Sequence, residues 1–231
     1  MARFAKDRFA EYWVPGRHYH VYNHAVHNNV CFRDAQDYER FIYLIGKRFT
    51  FFSDVLAFCL IPNHFHIALY LLEEDELRRK LSNVPRELLR KADKKYVEGT
   101  ISYTMYIGQL VGDAMSAYAQ YFNRRHGRKG PLMHRPIRRI ETTNDGFSRK
   151  LIGYVGLNHV KHKMTAPTAR YPFSSLYRDD KFLARERLLA GFGGEEQYAR
   201  YLGDYLRRYG KVFYEFDELA FFGIEATRHA A

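Results

Sequence analysis

Two histidines separated by one apolar residue are the side chains of this sequence that are best spaced for metal chemistry. They are His64 and His66, within a run at 62–70 that reads as a buried β-strand. Because strand side chains alternate between faces, the two imidazoles point to one face while Phe65 points to the other. A polar pair in an apolar strand needs partners, and a divalent metal ion is one answer. Neutral histidines bonded within a core, or exposed on an open sheet face, are the commoner alternative.

A tyrosine and an asparagine form a second group that could do chemistry. Apolar spacing predicts a helix at about 146–162, and Tyr154 and Asn158 lie one turn apart on it, so they share a face. If that face packs toward the imidazoles, His64, His66 and Asn158 can bind a divalent ion through two nitrogens and one oxygen, with Tyr154 beside it. Tyr154 taken alone is more simply explained as a core aromatic, because aromatics at helical spacing usually pack.

The order of the strands and helices that must position these residues predicts an α+β domain, in which helices cover one side of an antiparallel sheet. Asp34 is a plausible N-cap for the first helix. The patterns predict strands at about 17–27, 54–61, 64–72 and 131–142, and helices at about 35–52, 105–125 and 146–162.

Two further segments complete the predicted organisation. Residues 73–103 carry dense charge, which favours a solvated, partly helical insertion. Residues 180–209 again look helical, with a glycine-rich break at 191–194. We therefore expect one domain over 1–178 and a helical C-terminal extension over 179–231.

Composition favours a polyanionic partner. The chain has 231 residues, a net charge of +11 and 19 Tyr with 18 Phe, and basic groups beside aromatics can hold phosphates and stack bases. Two basic clusters are candidate DNA contacts: Arg124, Arg125, Arg128 and Lys129 at a helix end, and Arg135, Arg138 and Arg139 in the predicted strand at 131–142. Simple solvation of these charges is the alternative.

Cysteine usage and hydropathy favour a cytoplasmic protein. Cys31 and Cys59 are too few for a disulfide framework and lack the spacing of a zinc knuckle. The first eight residues lack the apolar core of a signal peptide. Residues 55–72 are long and mostly apolar, but Pro62 and Asn63 at their centre favour two strands joined by a turn over a membrane helix.

Six sequence blocks in a fixed order resemble the single-tyrosine HUH transposases, and in particular the REP-associated tyrosine transposases. The blocks are Tyr19-His20-Val21-Tyr22-Asn23, Phe32-Arg33-Asp34, Pro62-Asn63-His64-Phe65-His66, the run 118–127 from Tyr118 to Gly127, Gly153-Tyr154-Val155-Gly156-Leu157-Asn158, and Tyr171-Pro172-Phe173-Ser174-Ser175. The resemblance spans about 17–178. It implies a ferredoxin-like HUH endonuclease fold that acts on single-stranded or hairpin DNA.

The resemblance also implies roles for individual residues. His64 and His66 correspond to the paired metal ligands of the family, Tyr154 to its nucleophile, and Asn158 to its amide ligand. Mg²⁺ or Mn²⁺ is the expected ion, since zinc prefers a more complete nitrogen and sulfur set. The implied activity is DNA nicking and strand transfer through a 5′-phosphotyrosine, by a monomer or by a homodimer.

The sequence departs from the family pattern after the candidate ligand Asn158. His159-Val160-Lys161-His162-Lys163 stand where the family usually has Pro followed by an Arg-Ala-Gly turn. Two other functions stay open at this stage. One is a domesticated relative that binds hairpin DNA or RNA without cutting it. The other is a metal-dependent hydrolase of a small substrate, which fits the positive charge less well.

Overall fold

A ferredoxin-like sheet forms the centre of the computed structural model, which describes residues 12–27, 29–142, 145–166 and 169–209. Its strands are β1 (His18–His24), β2 (Ser53–Ile61), β3 (His64–Leu71) and β4 (Arg138–Thr142). Every neighbouring pair is antiparallel, in the order β2-β3-β1-β4. The helices are α1 (Ala35–Arg48), α2 (Glu74–Ser82), α3 (Lys91–Val97), α4 (Tyr103–Arg125), α5 (Asp145–Gly156), α6 (Asn158–Lys161), α7 (Arg185–Phe192) and α8 (Glu195–Tyr209).

The predicted α+β class is therefore confirmed, but helices cover both faces of the sheet and not the single face that the sequence predicts. The order β1-α1-β2-β3-α4-β4, with α2 and α3 inserted before α4, is the split βαβ arrangement of ferredoxin-like folds. Helices α5 and α6 follow β4, and α7 and α8 supply the predicted helical C-terminal region. The predicted division at residues 178 and 179 stays a prediction.

One face of the sheet packs against α1 and α4 to form the larger hydrophobic core. Val21, Phe65 and Ile67 project from β1 and β3 into it and are fully buried. Asp34 begins α1 by accepting hydrogen bonds from the backbone of Gln36 and Asp37, as the sequence predicts. The Tyr118 hydroxyl of α4 donates to the Cys31 carbonyl at 2.6 Å, which ties the long helix to the loop before α1.

The opposite face is covered by α5, with α7 and α8 packed around it. Two glycines make this close packing possible. A Cβ on Gly153 would lie 2.9 Å from the Tyr205 ring of α8, and one on Gly156 would lie 2.8 Å from Leu176. Because glycine has no side chain, Tyr205 of α8 and Leu176 can approach the α5 backbone directly at these two positions.

Several predicted boundaries are wrong. The first helix ends at Arg48 and continues as a 3₁₀ turn at Phe49–Phe51. The fourth strand is only Arg138–Thr142, because the segment before it makes a single bridge, between Met133 and Ala25. The tail does break where its glycines predict, with Gly193 in the left-handed conformation at φ 85° after α7.

The charged insertion is less solvated than its composition predicts. Helices α2 and α3 carry the charge, yet Leu77, Leu81 and Tyr96 are buried in the core beneath them. Asp93 of α3 is also buried and accepts a 2.6 Å hydrogen bond from the Tyr106 hydroxyl of α4. The insertion therefore packs on α4 through one apolar face.

Two predictions fall outside the described part of the chain. They concern residues 1–8, where the sequence lacks the apolar pattern of a signal peptide, and the end of the C-terminal extension at 210–231. Within the described residues, no helix is both long enough and apolar enough to cross a lipid bilayer.

Candidate functional site

The second face of β1 and β3 carries a cluster of histidines. In the β1–β3 register His24 pairs with His64, and Tyr22 pairs with His66. The His24 and His64 rings stack with centroids 4.4 Å apart. His20, one position along the same face, stacks on His66 at 5.0 Å. Strand alternation thus puts five imidazoles on one face, with His18 at its far end opposite Tyr70, while the same strands fill the apolar core with their other side chains.

His64 and His66 are held neutral by their surroundings. Burial lowers the pKa of His64 to about 2, and repulsion from His162, His24 and Lys161 acts in the same direction. Burial also lowers the pKa of His66, again with repulsion from neighbouring imidazoles. A neutral imidazole keeps the nitrogen lone pair that a metal ion requires. Both residues are therefore in the protonation state of a ligand at neutral pH.

Hydrogen bonds at the Nδ1 atoms decide which ring nitrogen of each histidine faces the site. His64 Nδ1 lies 2.9 Å from Asn63 Oδ1, and an amide oxygen only accepts, so this nitrogen donates. His66 Nδ1 lies 2.8 Å from His20 Nε2. When His66 is the donor in that bond, the Nε2 atoms of both rings carry the lone pairs that an ion would use. This is the arrangement by which proteins orient metal-bound histidines.

The tyrosine helix is shorter than predicted, and its break changes the site. Helix α5 ends at Gly156, Leu157 leaves helical geometry at φ −101° and ψ 12°, and α6 begins at Asn158. The single helix predicted for 146–162 is therefore wrong, and Tyr154 and Asn158 belong to different helices. Asn158 and Lys161 begin and end the short helix α6 and His162 follows it, so the three side chains come from one turn.

Asn158 fits a metal-bound amide. It is fully buried, and neither of its amide atoms has a hydrogen-bond partner of normal geometry among the described residues. Its side chain is nevertheless close enough to His64 to oppose the lowering of that pKa. A buried amide without a partner costs about 1–3 kcal/mol, and coordination of an ion by its oxygen would offset this cost.

His162 joins the pair of strand histidines. His64, His66 and His162 each offer one ring nitrogen, and these three atoms lie within 4.8 Å of one another. No other group of three or more His, Cys, Asp or Glu residues is so placed in the described part of the chain. The His162 and His64 rings meet edge to face at 4.5 Å. The structure therefore offers a histidine triad that can hold a metal ion, where the sequence predicts two histidines and one asparagine.

Tyr154 lies against this cluster. Its ring meets the His66 ring edge-on at 5.5 Å and the His20 ring at 5.6 Å. Lys161 Nζ donates a 2.9 Å hydrogen bond to the Tyr154 hydroxyl. The phenol, 1% exposed, is thus positioned beside the imidazoles and beside a cation that stabilises negative charge on its oxygen.

The sequence prediction brought together His64, His66, Tyr154 and Asn158, and the structure collects all four in one region. It missed three groups: His20, His162 and Lys161. His20, Tyr22 and His24 alternate along the first predicted strand, and this pattern could have placed His20 on the face of His24. The spacing of four residues between Asn158 and His162 could have placed His162 beside Asn158. The position of that turn relative to the histidines is visible only in the structure.

The first basic cluster is partly engaged within the chain. Arg125 donates to Asp34 and to the buried Asp37, with its shortest contact to each at 2.8 and 2.7 Å. Arg128 donates to Asn123 Oδ1 and to the Pro131 carbonyl. The side chains of Arg124 and Lys129 are exposed. The proposed DNA contacts of this cluster stay predictions, with Arg125 and Arg128 also holding the end of α4 in place.

The second basic cluster divides between the two faces of the sheet. Arg138 pairs with Tyr22 on the histidine face, whereas Arg139 pairs with Val21 on the other. Arg139 stacks on Trp13 at 4.6 Å, and with Arg135 it lines an open groove of about 1150 Å³ between α4 and the segment before β4. A single continuous phosphate track through all three arginines does not match this arrangement, and their contacts with DNA stay predictions.

Comparison with known proteins adds little to the geometry. No protein-family profile and no curated protein sequence matches the chain. A solved structure described as a REP-associated tyrosine transposase bound to a REP hairpin is similar in fold, at 15% identity and a TM-score of 0.46. That similarity covers 78% of this chain and 85% of the other. The functional assignment therefore depends on the side chains of the site.

Proposed function

We propose that this protein is a metal-dependent enzyme that nicks single-stranded DNA and rejoins it through a covalent link to Tyr154. The observation that supports this proposal is the position of the Tyr154 ring, 5.5 Å from the His66 ring of its own chain. A nucleophile, a candidate metal centre and a cation then lie in one region, as a phosphoryl transfer to tyrosine requires.

In the proposed reaction the Tyr154 oxygen attacks the phosphorus of a phosphodiester. The new O–P bond replaces the bond between phosphorus and the 3′ oxygen, so the products are a 5′-phosphotyrosine and a free 3′-OH. The tyrosine proton ends on the released 3′ oxygen, which balances atoms and charge. Attack by a second 3′-OH reverses the step and joins two strands, without an external energy source.

Each residue of the site has a part in this scheme. His64, His66, His162 and Asn158 would hold a divalent ion, which when bound supplies charge stabilisation at the phosphate oxygens. A tyrosine phenol has an ordinary pKa of about 10, so it needs help to act as a nucleophile at neutral pH. Lys161, hydrogen-bonded to the Tyr154 oxygen, stabilises the negative charge that develops there.

The net charge of +11 supports a nucleic-acid substrate over a small one. Arg124, Lys129 and Arg138 are exposed and available to phosphates, and Arg138 lies on the histidine face. Hairpin-ended single strands are the DNA form that we propose, because the sequence blocks resemble those of transposases acting on such ends. The exposed arginines give a salt-dependent affinity for that backbone.

The proposed function is tested by trapping the covalent link. The protein is incubated with a labelled library of hairpin-ended single-stranded oligonucleotides and a divalent ion, and adducts are resolved on a denaturing gel. We expect an adduct with the wild type and none with Tyr154→Phe. Tyr205→Phe is the matched control, because the Tyr205 ring of α8 packs against Gly153, the neighbour of Tyr154 in α5. The adduct yield of this variant should equal that of the wild type.

An adduct that persists in Tyr154→Phe would exclude Tyr154 as the nucleophile. Mixing Tyr154→Phe with His64→Ala separates action within one chain from action between chains. If the tyrosine serves its own chain's metal, as its contact with His66 supports, the mixture stays inactive. If it serves a partner in a homodimer, the mixture recovers activity.

One observation favours a second candidate, a hairpin DNA or RNA binding protein that does not cut. Tyr154 is 1% exposed, so its hydroxyl must become accessible before it can meet a phosphate. The same library experiment distinguishes the two functions. Retention of hairpins on a filter, with neither nicking nor adduct in the presence of each divalent ion tried, would favour the binding protein.

A further inference from the structure

The third histidine makes the donor set of the candidate metal centre richer in nitrogen than the one predicted from sequence. His64, His66 and His162 supply three imidazole nitrogens within 4.8 Å of one another. Asn158 adds one buried amide oxygen beside His64. None of the three residues in the triad is a carboxylate. Carboxylate, carbonyl and water oxygens are the ligands that suit Mg²⁺, whereas imidazoles suit Zn²⁺, Co²⁺ and Ni²⁺.

We propose that His162 is the third metal ligand and that it makes this site selective for borderline transition-metal ions, of the class of Co²⁺, Ni²⁺ and Zn²⁺, over Mg²⁺. This inference deepens the proposed function, because it concerns the metal of the same site. The binding of the ion itself can be measured without DNA, so it is tested separately from cleavage. It also replaces the expectation of Mg²⁺ that the two histidines and the asparagine gave.

The short helix α6 is the element that brings His162 to the site. His162 follows α6, and its backbone N–H donates to the Asn158 carbonyl at 3.1 Å, which closes one helical turn between the two residues. Residues four apart lie on the same side of such a turn. Asn158 and His162 are therefore set at a fixed spacing, and both lie next to His64.

The difference in burial among the ligands gives the centre an open side. His64 and His66 are 2% and 1% exposed, whereas His162 is exposed at the surface. An ion held by the three would be buried on the strand side and reachable from the His162 side. Catalytic metal centres must be accessible to substrate, whereas structural ones are closed. Tyr154 also lies near this part of the site, because Lys161, next to His162 in the chain, donates a 2.9 Å hydrogen bond to the Tyr154 hydroxyl.

The nearest competing ligand is His24, and it provides the sharpest control. The His24 ring stacks on His64 at 4.4 Å, as close as His162 does, but His24 is outside the triad. Its strand position opposite His64 is fixed by the sheet register. If His24 rather than His162 completes the centre, its substitution will affect metal binding more.

The experiment titrates the metal-free full-length protein with Co²⁺ and follows its visible absorption, which reports the number and type of ligands. Competition with Zn²⁺ and with Mg²⁺ then ranks the ions. We expect one Co²⁺ per chain, displaced by Zn²⁺ at equal concentration and not by a thousandfold excess of Mg²⁺. Displacement of Co²⁺ by Mg²⁺ at or below that excess would overturn the selectivity.

Variants assign the ligand. His162→Ala should weaken Co²⁺ binding by at least about 10²-fold and change the absorption spectrum, since the loss of a ligand exceeds the 10- to 100-fold cost of losing an outer-shell partner. His24→Ala and the exposed His134→Ala should change the affinity by less than about threefold. Circular dichroism checks that each variant folds. Wild-type Co²⁺ affinity in His162→Ala, or its loss in His24→Ala alone, would overturn the role of His162.

The two proposals fail in different ways. Tight, His162-dependent Co²⁺ binding without any DNA adduct would leave the metal inference standing and refute the nuclease. A Tyr154 adduct that forms with Mg²⁺ and is unaffected by His162→Ala would do the reverse.

Discussion

The two faces of strand β3 differ in the side chains that they contact. Phe65, Ile67 and Leu69 enter the core under α1 and α4, where all are fully buried among aliphatic and aromatic side chains. His64 and His66 occupy the alternate positions and meet imidazoles, a phenol and α6. A single strand thus contributes apolar packing to one side and candidate ligands to the other.

The helices on the two faces differ in the same way. Helix α4 runs through 23 residues and is tied down by tyrosine hydroxyls, such as Tyr103 to the Leu72 carbonyl at 2.8 Å. On the histidine face, α5 is followed at once by the four-residue α6. The long helix α4 thus packs on the core face, whereas the short turn of α6 carries the polar side chains Asn158 and Lys161. Substitutions on the two faces should therefore have different consequences.

The largest effect on stability is expected from the core face. Phe65→Ala removes a fully buried ring that packs on Phe41 at a centroid distance of 4.8 Å. It should lower the free energy of unfolding by about 3–5 kcal/mol, measured by urea denaturation. Leu88→Ala, at a side chain that is 68% exposed, is the control and should change it by less than about 0.5 kcal/mol. Equal losses in the two variants would contradict the assignment of the faces.

Metal-linked stability should separate the faces within one strand. At a Co²⁺ concentration about 100 times the dissociation constant, the wild type should gain about 2.7 kcal/mol over the metal-free protein. Ile67→Val, a mild change on the core face, should keep this gain, and His66→Ala should lose it. Denaturation with Co²⁺ and with a chelator provides the measurement. A retained gain in His66→Ala would place the ion elsewhere.

The cation beside the phenol should affect rate and leave stability nearly unchanged. Lys161→Met removes the donor to the Tyr154 hydroxyl and should slow adduct formation by about 10²-fold, a typical value for one charge-stabilising donor. Lys163→Met, at an exposed position two residues along, is the matched control and should react at the wild-type rate. Single-turnover gels measure both. Equal rates in the two variants would show that Lys161 has no part in the step.

The last effect concerns the stability that the insertion on the core face contributes, and it depends on pH. Burial tends to raise the pKa of Asp93, but hydrogen bonds from Arg90 and Tyr106 outweigh it and lower the pKa below its ordinary value. The carboxylate therefore stabilises the fold above the unfolded pKa of about 4, and this contribution is lost as the pH falls through the lower folded pKa.

Asp93→Asn tests that dependence. It should cost about 1.5–3 kcal/mol of unfolding free energy at pH 7, because the hydrogen bonds that it weakens are made to a charged group. The difference from the wild type should shrink below about pH 4. Asp75→Asn, at an exposed position of α2, should show no comparable difference at either pH. A pH-independent gap for Asp93→Asn would exclude the ionised carboxylate as its cause.

Local patterns predicted most of the secondary structure because each depends on neighbours in sequence. The alternation around His64 and His66 predicted their common face, and Asp34 predicted the start of α1. Non-local contacts decided the rest. The predicted strand at 131–142 shortened because only 138–142 pairs with β1. The predicted helix at 146–162 broke after Gly156, where Leu176 packs directly against the backbone.

The sequence by itself determined the order of the strands and helices and the pairing of two imidazoles on one strand face, since period and turn chemistry are local properties. Only the tertiary structure decided that His162 and Lys161 belong to the site, and that Arg138 and Arg139 face opposite ways. Those outcomes depend on strand register and on the direction of one short turn. Both are set by packing between segments far apart in the chain.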